Sequence, residues 1–141
     1  MALLGPAGPG AMQLGYTIVY VPDVAASLHF YAAAFGLPQK FLDPTGTYGE
    51  CATGATTLGF AAHALGDLNV PGGVVKASET VQPLGMEIAL VTDDVPQAHA
   101  RALEHGAGEI AAPARKPWGQ LVSYVRAPDG TLIELCTPMA G

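Results

Sequence analysis

Two stretches decide the reading of this chain: Tyr16-Thr-Ile-Val-Tyr-Val-Pro-Asp23-Val24 and Glu87-Ile-Ala-Leu-Val-Thr-Asp-Asp94-Val95. Their first residues lie 71 positions apart, from 87 − 16. Each is an apolar, strand-like run, then an acidic residue, then a helical stretch. The helical stretches are predicted over 24–35, stopping at Gly36, and over 95–105, stopping at Gly106. Asp23 and Asp94 stand where an N-cap carboxylate accepts the first free backbone N–H groups. The glycines stand where a helix turns out through a left-handed residue.

Three short extended runs follow each helix. They are predicted over 39–42, 47–52 and 55–62 in the first half, and over 108–112, 120–126 and 131–136 in the second. Pro44-Thr-Gly46, Thr53-Gly54 and Pro128-Asp-Gly130 supply turns between them. Each half therefore reads β-α-β-β-β, and the fold class is α+β. One domain is expected over 13–141, built from modules at about 13–62 and 84–138. A long loop over about 63–83 joins them, and residues 1–12 read as a flexible Gly/Pro leader. A unit of this size cannot bury a sheet face alone. The two sheets must curl against each other or against a second chain.

Bulk composition narrows the function. Half of the 141 residues are hydrophobic and only 13% are charged, so a real core is affordable and disorder is excluded. Six basic against twelve acidic residues give a net charge of −6, which repels phosphate backbones and argues against nucleic-acid binding. No apolar run reaches the roughly 18–20 residues of a membrane span, and no basic segment precedes the short apolar start as in a secretory signal. Cys51 and Cys136 each lie in an apolar run and read as small buried hydrophobes, which fits a reducing, cytoplasmic location.

The chemistry-bearing residues are few. Glu87 and Glu134 each interrupt an apolar strand. Side chains alternate along a strand, so Glu87 shares a face with Ala89 and Val91, and Glu134 with Leu132 and Cys136. Carboxylates there call for a partner: a metal, a proton, or a hydrogen bond to ligand. If the two converge, like-charge repulsion raises one pKa. Trp118, the only tryptophan, sits on a Pro-Trp-Gly turn and offers a stacking plate for a planar ligand. Tyr16, Tyr48 and Phe60 are further aromatic candidates where they face inward. Phe30, Tyr31 and Phe35, at helical spacing, read as core. Arg115-Lys116 reads as a solvated loop. His29, His99 and His105 read as surface or helix-end residues, and His63 stands at the mouth of the long loop.

Several local motifs resemble the vicinal oxygen chelate superfamily, which holds glyoxalase I, bleomycin-resistance proteins and extradiol dioxygenases. They are Val21-Pro-Asp23 with Phe30-Tyr31 and Phe35-Gly36-Leu37; Val91-Thr-Asp-Asp94-Val95; Lys116-Pro-Trp-Gly119; and Asp129-Gly130-Thr-Leu-Ile-Glu134-Leu. The resemblance implies two βαβββ modules forming cup-shaped mixed sheets, and a homodimer with a pocket in each cup. In metal-dependent members, ligands come from the first and last strand of each module. Those positions fall here on Tyr16, Gly59, Glu87 and Glu134, whereas the usual set is His or Gln with Glu and His. The expectation is therefore metal-independent sequestration of an aromatic or hydrophobic small molecule, as in the resistance branch, with Tyr16, Tyr48, Phe60, Glu87, Trp118 and Glu134 as ligand-binding residues. The alternative is a metal-dependent lyase or dioxygenase. Glu87 and Glu134, with His63 completing the set, would then hold zinc, nickel, manganese or iron. A third option is a metal-free isomerase or lyase with a Glu as base. No catalytic residue is assigned.

Overall fold

The computed structural model describes residues 10–139. Of the leader, residues 10–12 are exposed and without regular structure, and 1–9 lie outside the described residues. The first module runs β1 (Tyr16–Val21), α1 (Val24–Phe35), β2 (Gln39–Leu42), β3 (Tyr48–Cys51) and β4 (Thr57–Ala62). The second runs β5 (Glu87–Val91), α3 (Val95–Glu104), β6 (Gly108–Arg115), β7 (Leu121–Arg126) and β8 (Leu132–Cys136). The helix between them, α2 (His63–Asn69), is taken up below.

Local chemistry sets both helices as the repeat predicts. Asp23 accepts from the Ala26 N–H at 3.0 Å and Asp94 from the Gln97 N–H at 3.1 Å. Gly36, at φ 69°, lets the chain leave α1 while its N–H bonds the Ala32 carbonyl. Each module closes into a four-stranded sheet of the same order, β1-β4-β3-β2 and β5-β8-β7-β6. The first and last strands of a module pair in parallel, because a helix crosses between them.

Each sheet carries its helix on one face. Val21, Leu58 and Phe60 of the first sheet and Val125, Ile133 and Leu135 of the second join Leu28, Tyr31 and Val95 of the helices in one core. α1 also touches α3, so the two modules share that core. The opposite face of each sheet is open: along β5, Glu87, Ala89 and Val91 are exposed while Ile88 and Leu90 turn inward.

Three features differ from the sequence-based expectations. The segment over 63–83 is not a plain loop: α2 and a single 3₁₀ turn (Ala77–Glu79) lie within it. α2 settles because Gly66 lies against the ring of Tyr20, leaving little room for a Cβ. Secondly, β6 extends to Arg115, since its hairpin with β7 continues past the expected end. Thirdly, His99 is not a surface residue. It is buried, with Nδ1 2.9 Å from Ser123 Oγ and Nε2 2.7 Å from Glu109 Oε2. The face of α3 that meets β7 carries this imidazole inward, where both ring nitrogens find partners. Replacing it with leucine strands a buried hydroxyl, so His99→Leu is expected to cost about 1–3 kcal/mol in urea unfolding. A stability equal to wild type would show the network to be idle.

Candidate functional site

β1 and β5 face each other across the gap between the two sheets, each lining the clefts that fill it. Ile18–Tyr20 line one cleft with Met86–Ile88, and Thr17 lines another with Ile88–Leu90, so the two strands run past each other in opposite senses. No hydrogen-bond ladder joins them, and each is the outer strand of its own sheet. The first of these clefts encloses about 230 Å³. Ile18 and Tyr20 form one wall, Leu132 and Ile88 another, and Val75 and Leu84 of the inter-module linker the roof. Glu87 is the one charged residue among those lining it.

A residue that sequence reasoning did not single out holds that roof in place. Arg126, on β7, donates five hydrogen bonds: to the carbonyls of Gly130 (3.1 Å), Val81 (2.8 Å), Ala77 (2.8 Å) and Thr80 (3.0 Å), and to Thr80 Oγ1 (3.2 Å). A guanidinium suits this task because its donors fan out in one plane. Gly130 completes the fit, since a Cβ there would collide with the Ala77 carbonyl. The linker packs on the Pro-Asp-Gly turn by backbone contact, a pattern with no signature in the sequence.

The two strand carboxylates do converge. Glu134 pairs across the ladder with Ala89, two residues along β5 from Glu87, so the two carboxylates are neighbours on the open face, and Tyr124 donates to Glu134 Oε1 at 2.9 Å. Partial burial, the hydrogen bond with Glu134 and repulsion from it all raise the Glu87 carboxyl above its ordinary 4.5. The same neighbourhood pushes Tyr124 up to about 12, burial contributing most. These carboxylates are more open than their apolar strands led one to expect: Glu87 is exposed and Glu134 half-buried, because the face they share is the uncovered one. The sign of the linkage follows. The folded state binds the Glu87 proton more tightly than the unfolded chain, so this group's contribution is complete below pH about 4.5 and fades as pH rises through the folded pKa. In thermal melts, Glu87→Gln is expected to flatten that decline. A wild-type stability that rises across the same window, with no change in the variant, would refute the raised Glu87 carboxyl.

The other candidates separate. Tyr16 is 60% exposed at the far end of β1 from Glu87. It lies near Tyr48, whose hydroxyl donates to Glu50 Oε2 at 2.7 Å. Glu50, also missed, is a buried carboxylate paired across the ladder with Gly59 and 3.8 Å from Lys40 Nζ. The ring of Tyr48 lies over Gly59, with its hydroxyl 2.7 Å from where a Cβ would stand. Each open face thus holds a Tyr–Glu pair, Tyr48–Glu50 in the first module and Tyr124–Glu134 in the second. Alternation around Gly59 was the available signal: Glu50 is two residues from Tyr48 on the paired strand.

Phe60 corrects an expectation. It is fully buried on the helix side, its ring centroid 4.7 Å from that of Tyr31. Its neighbour Gly59 faces the open side, and adjacent strand residues cannot share a face. Trp118 is 60% exposed on the β6–β7 turn, where its indole donates to Gln120 Oε1 at 2.7 Å and Gln120 donates to the Thr137 carbonyl at 2.7 Å. That anchors it beyond the end of β8, roughly 15 Å along the strand from Leu132. Arg115 closes the same turn by donating to the Gly119 carbonyl at 2.7 Å. His63 heads α2, with its Nε2 buried and unpartnered. Among the described residues, no three His, Cys, Asp or Glu side chains gather closely enough to hold a metal ion, so His63 does not complete the Glu87–Glu134 pair. Two carboxylates engaged with each other and with a phenol do not fit the three- or four-donor sites of transition metals.

The sequence profile of the Glyoxalase/Bleomycin resistance protein/Dioxygenase superfamily matches residues 13–135. The chain belongs to this superfamily. Solved structures share the fold at low identity. A glyoxalase-related enzyme from Fulvimarina pelagi superposes with a TM-score of 0.77 at 21% identity, over 91% of this chain and 89% of that one. A glyoxalase/bleomycin resistance protein/dioxygenase family enzyme from Burkholderia phytofirmans PsJN gives 0.76 at 19%, over 89% and 98%. TioX from Micromonospora sp. ML1 gives 0.66 at 17%, over 89% and 98%. Among curated proteins, none matches the chain. Within the described residues, no helix is long and apolar enough to cross a membrane. Membership in the superfamily accounts for the repeated βαβββ order and for the two open sheet faces. It leaves the chemistry to the side chains on those faces.

Proposed function

We propose that this superfamily member is a metal-independent binding protein that sequesters a small aromatic or hydrophobic compound, in the manner of the resistance branch. The observation that carries this reading is the apolar cleft at the β1–β5 seam, roofed by a linker that Arg126 ties down. An apolar, partly enclosed cleft with one charged group and few polar ones is the usual form of a small-molecule site. Tyr16, Phe41 and Ile18, exposed on the open face of the first sheet, extend the apolar surface away from it. A second copy of the chain covers these open faces in the working protein, and sedimentation of the purified protein reads that state. The two free, buried cysteines suit a reducing, cytoplasmic setting.

The reading is tested by two measurements on the purified protein. Metal analysis after incubation with zinc, nickel, manganese and iron is expected to show no stoichiometric, tightly held ion. Calorimetry with a panel of small aromatic compounds is expected to show binding in the absence of metal. One ion per subunit, lost in Glu134→Gln, would replace sequestration with a metalloenzyme. Trp118 fluorescence, read in parallel, separates a ligand at the β6–β7 turn from one at the seam.

A further inference from the structure

We propose that the seam cleft selects ligands carrying a protonated amine on a single-ring or short aliphatic body, with the ammonium seated on Glu87 and Glu134. The proposal rests on the sequestration reading above and names the ligand class of that site. Three observations carry it. First, the cleft's walls are apolar (Ile18, Val75, Leu84, Met86, Leu132), so the body of the ligand is hydrophobic. Secondly, its volume of about 230 Å³ lies below the roughly 300–1,000 Å³ of sites for drug-sized molecules. A single ring or short chain fills it, and the rest of a multi-ring compound would lie outside. Thirdly, Glu87 lines this cleft and meets Glu134 on the open face, and neither carboxylate has a cation. The ion pairs among the described residues lie elsewhere, at Lys40–Glu50, Lys76–Asp67 and His99–Glu109. Arg126 makes no ion pair with either carboxylate and turns its donors to the linker carbonyls. A chain rich in acid has therefore left two adjoining carboxylates without a counter-charge beside an apolar hole. An ammonium group supplies that charge and donates to both.

The pair also states what happens on binding. In the acidic range, a proton held by Glu87 relieves its repulsion with Glu134. There an arriving ammonium takes over that role, and the Glu87 proton leaves to solvent. A neutral ligand of the same shape displaces nothing.

Calorimetry with 2-phenylethylamine, 2-phenylethanol and phenylacetate tests this directly. At neutral pH the amine is expected to bind about tenfold or more tighter than the alcohol, and the acid weakest. At about pH 5, titrations in two buffers of different ionisation heat are expected to show proton release with the amine and none with the alcohol. Glu87→Gln should bring amine and alcohol to similar affinity. Val75→Trp and Met86→Trp, at exposed positions lining the cleft, should weaken both by filling it. The Trp variants keep the test valid if Glu87→Gln perturbs the fold, and thermal melts report that. Equal affinities for amine and alcohol in the wild type overturn the proposal. So does amine binding that neither Trp variant affects. If the aromatic panel binds while all three probes fail, the amine class is wrong and sequestration stands. If nothing binds in either experiment, both readings fall.

Discussion

Phe60→Ala is expected to lower the unfolding free energy by about 3–5 kcal/mol, the cost of removing a fully buried phenylalanine and leaving a cavity. The ring lies on the helix side of β4, fully buried, against Tyr31 at 4.7 Å between centroids and within the core shared by both modules. Few side chains nearby can collapse into the space, because β4 is an interior strand flanked by β1 and β3. A domain of this size has a margin on the order of 5–15 kcal/mol, so the loss consumes a large part of it. Urea unfolding should show a lower midpoint with an unchanged slope. Ligand affinity of the molecules that remain folded should not change. A small stability loss accompanied by lost binding would place Phe60 on the ligand face after all.

Gly130→Ala is expected to be nearly as damaging, about 2–4 kcal/mol, for two separable reasons. Gly130 has φ +95°, where a Cβ carries strain of about 1–2 kcal/mol. A Cβ there also strikes the backbone carbonyl of Ala77, which no rotamer change can move aside. The linker would have to retreat and surrender its bonds to Arg126. Gly119→Ala is the control, since Gly119 has φ +103° but faces open space. It should show the strain alone. Thermal melts should rank the two variants in that order, and limited proteolysis should cut Gly130→Ala within the linker. Equal losses in both would mean that the linker packing contributes nothing.

Much of the fold was legible because it rests on local chemistry written twice. The caps Asp23 and Asp94, the stop at Gly36 and the turn Pro128-Asp-Gly130 act through their own backbones, and a repeat of them names the architecture. The linker was not legible. α2 forms because Gly66 rests on Tyr20, and the 3₁₀ turn because Ala77 meets Gly130, contacts between segments tens of residues apart. His99 was misplaced for a related reason. Its helix position was correct, but burial depended on Ser123 and Glu109 arriving from the next two strands.

The candidate site divides along the same line. Strand alternation gave Glu87 and Glu134 each a face on its own strand, and the superfamily's strand positions brought both together with Tyr16 and Gly59; the sheet register, with Glu134 opposite Ala89, put the two carboxylates on one face. The same alternation rule, applied to Gly59, would have sent Phe60 to the core. What alternation cannot show is the relation between modules. The cleft exists because β1 and β5 stand apart where the two sheets face each other, and because Arg126 reaches across to hold a linker over the gap. Periodicity fixes which way a side chain points from its own strand. Where two strand edges meet, and whether a carboxylate there finds a cation, depends on packing between distant segments, which only the tertiary structure decides.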